Sequence, residues 1–156
     1  MKWTSLLVLA QAYLCSGRGI SMQKYKILIV EDQHWIKIML QEVLTNSGFT
    51  AFITSCYMEA VEITKKEQPD IVILDVNLVG IDGLSLLSKL KKVKSDIKTV
   101  FISGSSDTDY VRRAMAEGAL GFFFKPFDIL EFATFLVDIS TSGTASRGEG
   151  KWDGDY

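Results

Sequence analysis

The stretch DIVILDVN, residues 70–77, decides the fold, because four consecutive apolar residues lead there directly into a carboxylate, Asp75. A continuous apolar run bounded by polar residues is typical of a strand that is covered on both faces, as in a parallel sheet. The stretch KILIVED, residues 26–32, leads into Glu31 and Asp32 in the same way. Both stretches therefore predict buried strands that end in acids.

Working outward from these two stretches, apolar runs alternate with amphipathic stretches between Tyr25 and Ser140. The predicted strands are residues 26–30, 51–55, 71–75, 99–103 and 121–124. Helical spacing is clearest in two apolar stripes, which are Val111, Ala114, Met115 and Gly118, and then Ile129, Phe132, Ala133, Leu136 and Val137. Regular alternation of strand and helix predicts an α/β domain with a parallel sheet and right-handed crossovers.

The composition fits one globular domain with its own core, since 47% of the 156 residues are hydrophobic and 23% are charged. A net charge of -2 provides no basic field for nucleic acid phosphates, so direct nucleic acid binding is not expected. Cys15, Cys56 and the single histidine, His34, form no zinc-ligand pattern. Cys56 is expected to be a small, half-buried residue.

The two ends of the chain differ from its middle. Residues 1–21 combine Lys2, an apolar run at residues 6–14 and small residues, which is a signal-like pattern but too short to span a membrane. Met22 precedes a stretch that could itself begin a protein, so we expect the leader to be either a wrongly assigned start or an appended segment. We therefore expect a cytoplasmic protein, with export as the alternative. Residues 141–156 contain four glycines and predict a flexible tail or a truncated linker. The folded domain is expected at residues 22–140.

Polar residues of interest all follow predicted strands. Glu31 and Asp32 follow the first, Asp75 and Ser103 close the third and fourth, and Lys125 follows the fifth. Ligands of such sheets bind at the carboxyl ends of the strands. Clustered carboxylates repel one another unless a proton or cation intervenes, and oxygen ligands without histidine or cysteine favour Mg²⁺. The lysine and the hydroxyl would add donors for an anion, for which a phosphoryl group is the natural candidate.

The set VED, ILDVN, FISG and KP, in that order, resembles the receiver domain of two-component response regulators over roughly residues 24–140. The intervals are 43 residues from Asp32 to Asp75, 28 from Asp75 to Ser103 and 22 from Ser103 to Lys125, and all three are typical of that family. The resemblance implies a flavodoxin-like fold, a three-layer (βα)5 sandwich whose five parallel strands lie in the order 2-1-3-4-5.

The resemblance also implies a phosphoryl-acceptor and metal site. Asp75 matches the acceptor, which takes a phosphoryl group from a phosphohistidine of a sensor histidine kinase or phosphotransfer protein. Asp32, Asp75 and the backbone carbonyl of Asn77 would bind Mg²⁺ directly, and Glu31 would act mainly through water. These carboxylates would thus hold the metal that neutralises the transferring group.

A switch is implied on the opposite side of the site. Lys125 would pair with a phosphoryl oxygen, and its bond to Pro126 is expected to be cis. Ser103 would turn its hydroxyl toward the phosphate, which frees space for Phe122, the residue that matches the switch aromatic of the family. The readout would be a population shift at the surface of the fourth helix, fifth strand and fifth helix.

The resemblance further implies a signalling protein in a phosphorelay rather than an enzyme, with no membrane or direct nucleic acid contact. Its output would be a downstream protein or an effector domain absent from this chain, and activated chains can dimerise in this family. Whether the chain is a stand-alone regulator or a fragment of a longer one stays open.

Other interpretations remain open at this point. Adjacent acids after a strand often complement a helix macrodipole, and Phe122 could be a plain core residue. A pseudo-receiver would keep the pocket but only bind partners. Phosphatases of the haloacid-dehalogenase type also use an aspartyl nucleophile, Mg²⁺ and a lysine, but they need an acid two residues after the nucleophile, where this chain has Asn77.

Overall fold

The computed structural model describes residues 25–141 of the chain. The signal-like leader predicted at 1–21 and all but the first residue of the tail predicted at 141–156 lie outside the described residues. The five sheet strands are β1 Lys26–Val30, β2 Thr50–Thr54, β3 Ile71–Asp75, β4 Lys98–Ser103 and β5 Gly121–Phe124. The helices are α1 His34–Asn46, α2 Tyr57–Glu67, α3 Gly83–Val93, α4 Thr108–Ala116 and α5 Ile129–Thr141.

All neighbouring strands are parallel, and their order is β2-β1-β3-β4-β5. The predicted fold class and strand order are therefore confirmed, and each predicted strand begins and ends within one residue of the observed one. The register pairs Val30 with Leu74 and Asp75 with Ile102, so the ends of β1, β3 and β4 are level. The order reverses between β1 and β3, which is where such sheets bind ligands.

The sheet has a hydrophobic cluster on each face because side chains alternate along its strands. On β3, Val72 and Leu74 pack toward α2, α3 and α4, whereas Ile71 and Ile73 pack toward α1 and α5. All five residues of β3 are buried, and each fully buried aliphatic side chain contributes about 1.5–3 kcal/mol. Covering both faces explains why the apolar run of β3 is continuous. Within residues 25–141, none of the helices combines the length and apolar character of a membrane span.

A short hairpin follows β3 and was not predicted. Residues Asn77–Leu78 pair in antiparallel fashion with Ile81–Asp82, and Gly80 occupies the turn with φ 83°. The Asp82 carboxylate then accepts hydrogen bonds from the amides of Leu84 and Ser85, which caps α3. The hairpin therefore fixes where α3 begins relative to Asp75.

Expectations for three individual residues are wrong. Met115 is 43% exposed, and Gly118 lies beyond the end of α4 with φ 89°. The buried stripe of α4 is short because the chain leaves the helix after Ala116 and turns at Gly118 toward β5. Cys56 is exposed rather than half-buried, because it lies in the turn that leads from β2 into α2.

We predict that Gly121→Ala destabilises the domain by about 1–3 kcal/mol. A Cβ atom at Gly121 would lie 2.7 Å from Cζ of Phe135, a ring packed between β5 and α5. Gly104→Ala is the matched control, since a Cβ there would meet nothing within 4 Å. Urea unfolding of both variants checks this, and equal midpoints for the two would contradict it.

Candidate functional site

The backbone brings the predicted acids to one place. Glu31 directly follows β1, and its amide donates to the Thr54 carbonyl of β2 at 3.1 Å. Asp75 is the last residue of β3, the strand paired with β1. The burial of β1 and β3 therefore places both carboxylates at the carboxyl edge of the sheet without contribution from a long loop.

Three carboxylates meet there. One oxygen each from Glu31, Asp32 and Asp75 lies within 4.8 Å of the others. Glu31 and Asp75 are buried, while Asp32 retains contact with solvent. A set of oxygen donors with an open side suits a hard cation such as Mg²⁺, which keeps several of its waters. The donor chemistry thus fits the predicted ion.

Lys125 lies across the cluster. Its Nζ is 2.8 Å from Oε2 of Glu31 and 3.0 Å from Oδ2 of Asp75. The side chain is held from β5, since the Lys125 amide donates to the Ser103 carbonyl at 2.7 Å. The predicted cis bond between Lys125 and Pro126 is present. Among the described residues, this is the one ammonium group paired with the cluster.

One ammonium does not balance the negative charge. Burial raises the pKa of Glu31 to about 7, and the neighbouring Asp75 adds to this effect, although Lys125 and the Gln33 amide act against it. Burial disfavours the charged form of Lys125, yet its bonds to Glu31 and Asp75 prevail and its pKa is raised. The site therefore favours either a retained proton or a bound cation.

Of the remaining predicted residues, Asn77 contacts the carboxylate cluster, whereas Ser103 and Phe122 make their contacts beside it. The Ser103 hydroxyl hydrogen bonds to the Ser105 amide at 3.0 Å and to the Ser105 carbonyl at 3.1 Å, so it is turned toward its own loop rather than toward Asp75. The Asn77 side chain is exposed, and it is the backbone N–H of Asn77 that donates a hydrogen bond to Oδ1 of Asp75, at 3.1 Å. Phe122 is buried and stacks on Phe101, with ring centroids 5.9 Å apart.

Sequence reasoning missed Tyr110. Its hydroxyl accepts a hydrogen bond from the Leu84 amide at 2.8 Å and lies 3.4 Å from Oδ1 of Asp82. Burial raises the pKa of Tyr110 to about 12, so the hydroxyl keeps its proton. Together with Ser103 and Phe122, Tyr110 lines a cleft of about 120 Å³ beside the site. No local pattern could reveal this contact, because its partners are 26 residues apart.

The chain is similar to known proteins over most of the described residues. The family model for the response regulator receiver domain matches residues 27–136. Sporulation initiation phosphotransferase F of Bacillus subtilis is 37% identical over 110 residues, which are 70% of this chain and 89% of that protein. The DNA-binding transcriptional regulator NtrC of Escherichia coli is 31% identical over 121 residues, which are 78% of this chain but 26% of NtrC.

Solved structures agree with these matches. The non-phosphorylated HemR receiver domain from Leptospira biflexa superposes with a TM-score of 0.71 at 26% identity, covering 76% of this chain and 95% of that one. A response regulator from Thermotoga maritima, at 22% identity, has a TM-score of 0.70, covers 76% of this chain and 99% of its own, and supports the fold. The chain thus spans most of some relatives and about a quarter of others.

We predict a pH-dependent stability that originates at Glu31. In metal-free buffer the folded protein holds this proton up to about pH 7, whereas the unfolded chain releases it near pH 4.5, so raising the pH between these values removes stability. Relative to Glu31→Gln, the free energy of unfolding of the natural protein should fall by about 1–3 kcal/mol between pH 5 and pH 8.

Urea unfolding at each pH, with a chelator present, measures the difference. Glu42→Gln, which alters an exposed carboxylate of α1, is the control and should follow the natural protein. Parallel pH profiles for the natural protein and Glu31→Gln would contradict the prediction.

Proposed function

Because the chain belongs to the family of response regulator receiver domains, we propose that Asp75 accepts a phosphoryl group from a phosphohistidine of a sensor histidine kinase or phosphotransfer protein. The supporting observation is the joint contact of Lys125 Nζ with Glu31 and Asp75, beside a third carboxylate. The contact supports the proposal because the Asp75 carboxylate, an ammonium group that could pair with the incoming phosphoryl group, and further carboxylate oxygens lie within a few ångströms of one another.

In the transfer, a carboxylate oxygen of Asp75 attacks phosphorus, the new O–P bond forms, and the N–P bond of the phosphohistidine breaks. The histidine nitrogen keeps the electron pair of that bond. Asp75 is prepared for this because the Asn77 amide and Lys125 each hold one of its oxygens, which fixes the rotation of the carboxylate. Little reorganisation is then required when the donor arrives.

Receiver domains bind Mg²⁺ at an acidic pocket, and this chain has such a pocket. We assign Asp32, Asp75 and the Asn77 carbonyl as direct ligands, with Glu31 acting through water. When bound, Mg²⁺ neutralises charge on the transferring group. The raised pKa of Glu31, which comes first from burial and then from the neighbouring Asp75, supports a metal here, since a bound cation would stabilise the buried carboxylates in their charged form.

Phosphorylation would then change the hydrogen bonds around the site. Lys125 transfers its bond from Asp75 to a phosphoryl oxygen, and the Ser103 hydroxyl leaves Ser105 for another. Phe122 moves into the space that Ser103 vacates. These shifts alter the surface of α4, β5 and α5, where Met115 and Phe124 are 43% and 38% exposed, and so favour a second packing.

The phosphodonor would bind next to the acids. Trp35 and Ile38 of α1 are 65% and 40% exposed, and they begin only a few residues after Asp32. An exposed apolar face of this kind marks a binding surface. On the output side we propose a downstream protein, a dimer formed on activation, or an effector domain outside this chain, as expected where a relative such as NtrC is much longer than the matched region.

We place this function in the cytoplasm, with residues 22–140 as the receiver domain, and propose no membrane or direct nucleic acid contact for it. Receiver domains are generally not enzymes, and we propose the same for this chain. The family match argues against a haloacid-dehalogenase phosphatase, and no acid follows Asp75 at the second position. The remaining alternative is a pseudo-receiver, which would bind partners without accepting a phosphoryl group. Phosphorylation with acetyl phosphate distinguishes the two functions.

We expect residues 22–156 to gain one phosphoryl group, about 80 Da, on incubation with acetyl phosphate and Mg²⁺. Asp75→Asn should lose the gain because it lacks the nucleophilic carboxylate, and so should a sample with chelator. Asp96→Asn, which alters an exposed acid, is the control. Intact-mass spectrometry provides the measurement. A folded natural protein that stays unmodified would favour the pseudo-receiver.

A second expectation concerns Lys125→Ala. Asp75 should still accept the phosphoryl group, but the change in α4 and β5 should be lost, because nothing then couples the new charge to β5. Hydrogen exchange of α4 and β5 amides, with and without phosphorylation, measures this coupling. Lys98→Ala, whose amine binds the Ile139 carbonyl of α5, should keep the change. An equal response in Lys125→Ala would refute the assigned role.

A further inference from the structure

The hydroxyl of Tyr110 joins the first turn of α4 to the first turn of α3. The hydroxyl accepts a hydrogen bond from the Leu84 backbone amide at 2.8 Å. It also donates to Oδ1 of Asp82, with 3.4 Å between the two oxygen atoms. The Asp82 carboxylate also accepts from the Leu84 and Ser85 amides and from the Ser85 hydroxyl. Tyr110 therefore completes the N-terminal cap of a helix to which it does not belong.

The α3 end of this link is fixed to the acceptor strand. The Gly83 amide donates to the Val76 carbonyl at 3.1 Å. A Cβ atom at Gly83 would lie 2.9 Å from the Asp75 carbonyl and 3.2 Å from the Tyr110 hydroxyl. The backbone of Asp75 and the Tyr110 hydroxyl therefore both pack against Gly83, where a larger side chain would not fit. This close packing holds the first turn of α3 beside Asp75.

The α4 end of the link is attached to the parts that are proposed to move. The Tyr110 amide donates to Oδ1 of Asp107 at 3.2 Å, and the loop from Ser103 leads directly to Asp107. The Tyr110 ring also meets Phe122 edge-on at 6.5 Å. Tyr110 is therefore in contact both with the elements that are proposed to move and with Leu84, which is held by α3.

Resting on the proposed function, we propose that Tyr110 is a positioning residue whose hydroxyl stabilises the unphosphorylated packing. Its bond to Leu84 exists while Ser103 faces Ser105 and Phe122 is buried. When Ser103 turns to the phosphoryl group, α4 shifts relative to α3 and the bond is lost. The hydroxyl thereby sets how strongly the resting state resists activation.

Tyr110→Phe tests this, because it removes the hydroxyl and keeps the ring. The probe is beryllofluoride with Mg²⁺, which imitates a phosphoryl group on the acceptor carboxylate. The variant loses a hydrogen bond that only the resting state makes, so its apparent affinity for beryllofluoride should be about 2- to 10-fold tighter than that of the natural protein. Tyr25→Phe is the control, since that tyrosine packs on the opposite face of the sheet, and its affinity should not change.

A purely structural role would give a different result. It would lower the free energy of unfolding and leave the beryllofluoride affinity unchanged or weaker, and that outcome overturns the inference while the proposed function stands. A natural protein and control that both fail to bind the probe would instead remove the proposed function, and this inference with it.

Discussion

Negative charge buried at the end of two strands is the constraint on which the rest of this structure depends. Glu31 and Asp75 have almost no access to water, and Asp32 stands beside them. Removing carboxylates from water is costly unless a counter-charge is close, and one ammonium, that of Lys125, serves two of them. The position of β5, which holds Lys125 beside the acids, is consistent with this need.

The two layers of helices differ in how they contact the site. Successive residues of β5 face opposite sides, so Phe122 stacks on Phe101 beneath α4, whereas Phe123 packs against Phe132 and Phe135 of α5. The Phe122 side borders the cleft lined by Ser103 and Tyr110. The Phe123 side is an aromatic cluster around the buried ring of Phe132. The cleft beside the site is therefore bordered by the layer that contains α4 and not by α5.

The sequence was sufficient for the sheet and for the identity of the acids, because both depend on local pattern. Continuous apolar runs mark β1 and β3, and parallel strands bring their carboxyl ends to one edge. What could not be predicted depends on contacts between distant residues or on where an element stops. The link from Tyr110 to Leu84 is of the first kind. The position of Gly118 outside α4 is of the second kind, since helical periodicity does not show that α4 ends at Ala116.

The bridge from Lys125 to Glu31 also has a consequence for how the protein is made. During synthesis Glu31 and Asp75 emerge well before Lys125, because the lysine directly follows β5, the last of the five sheet strands in chain order. Contacts between residues so far apart in the chain form late and slowly. A nascent chain that has not yet released β5 and Lys125 therefore carries the acids without the ammonium group that pairs with them.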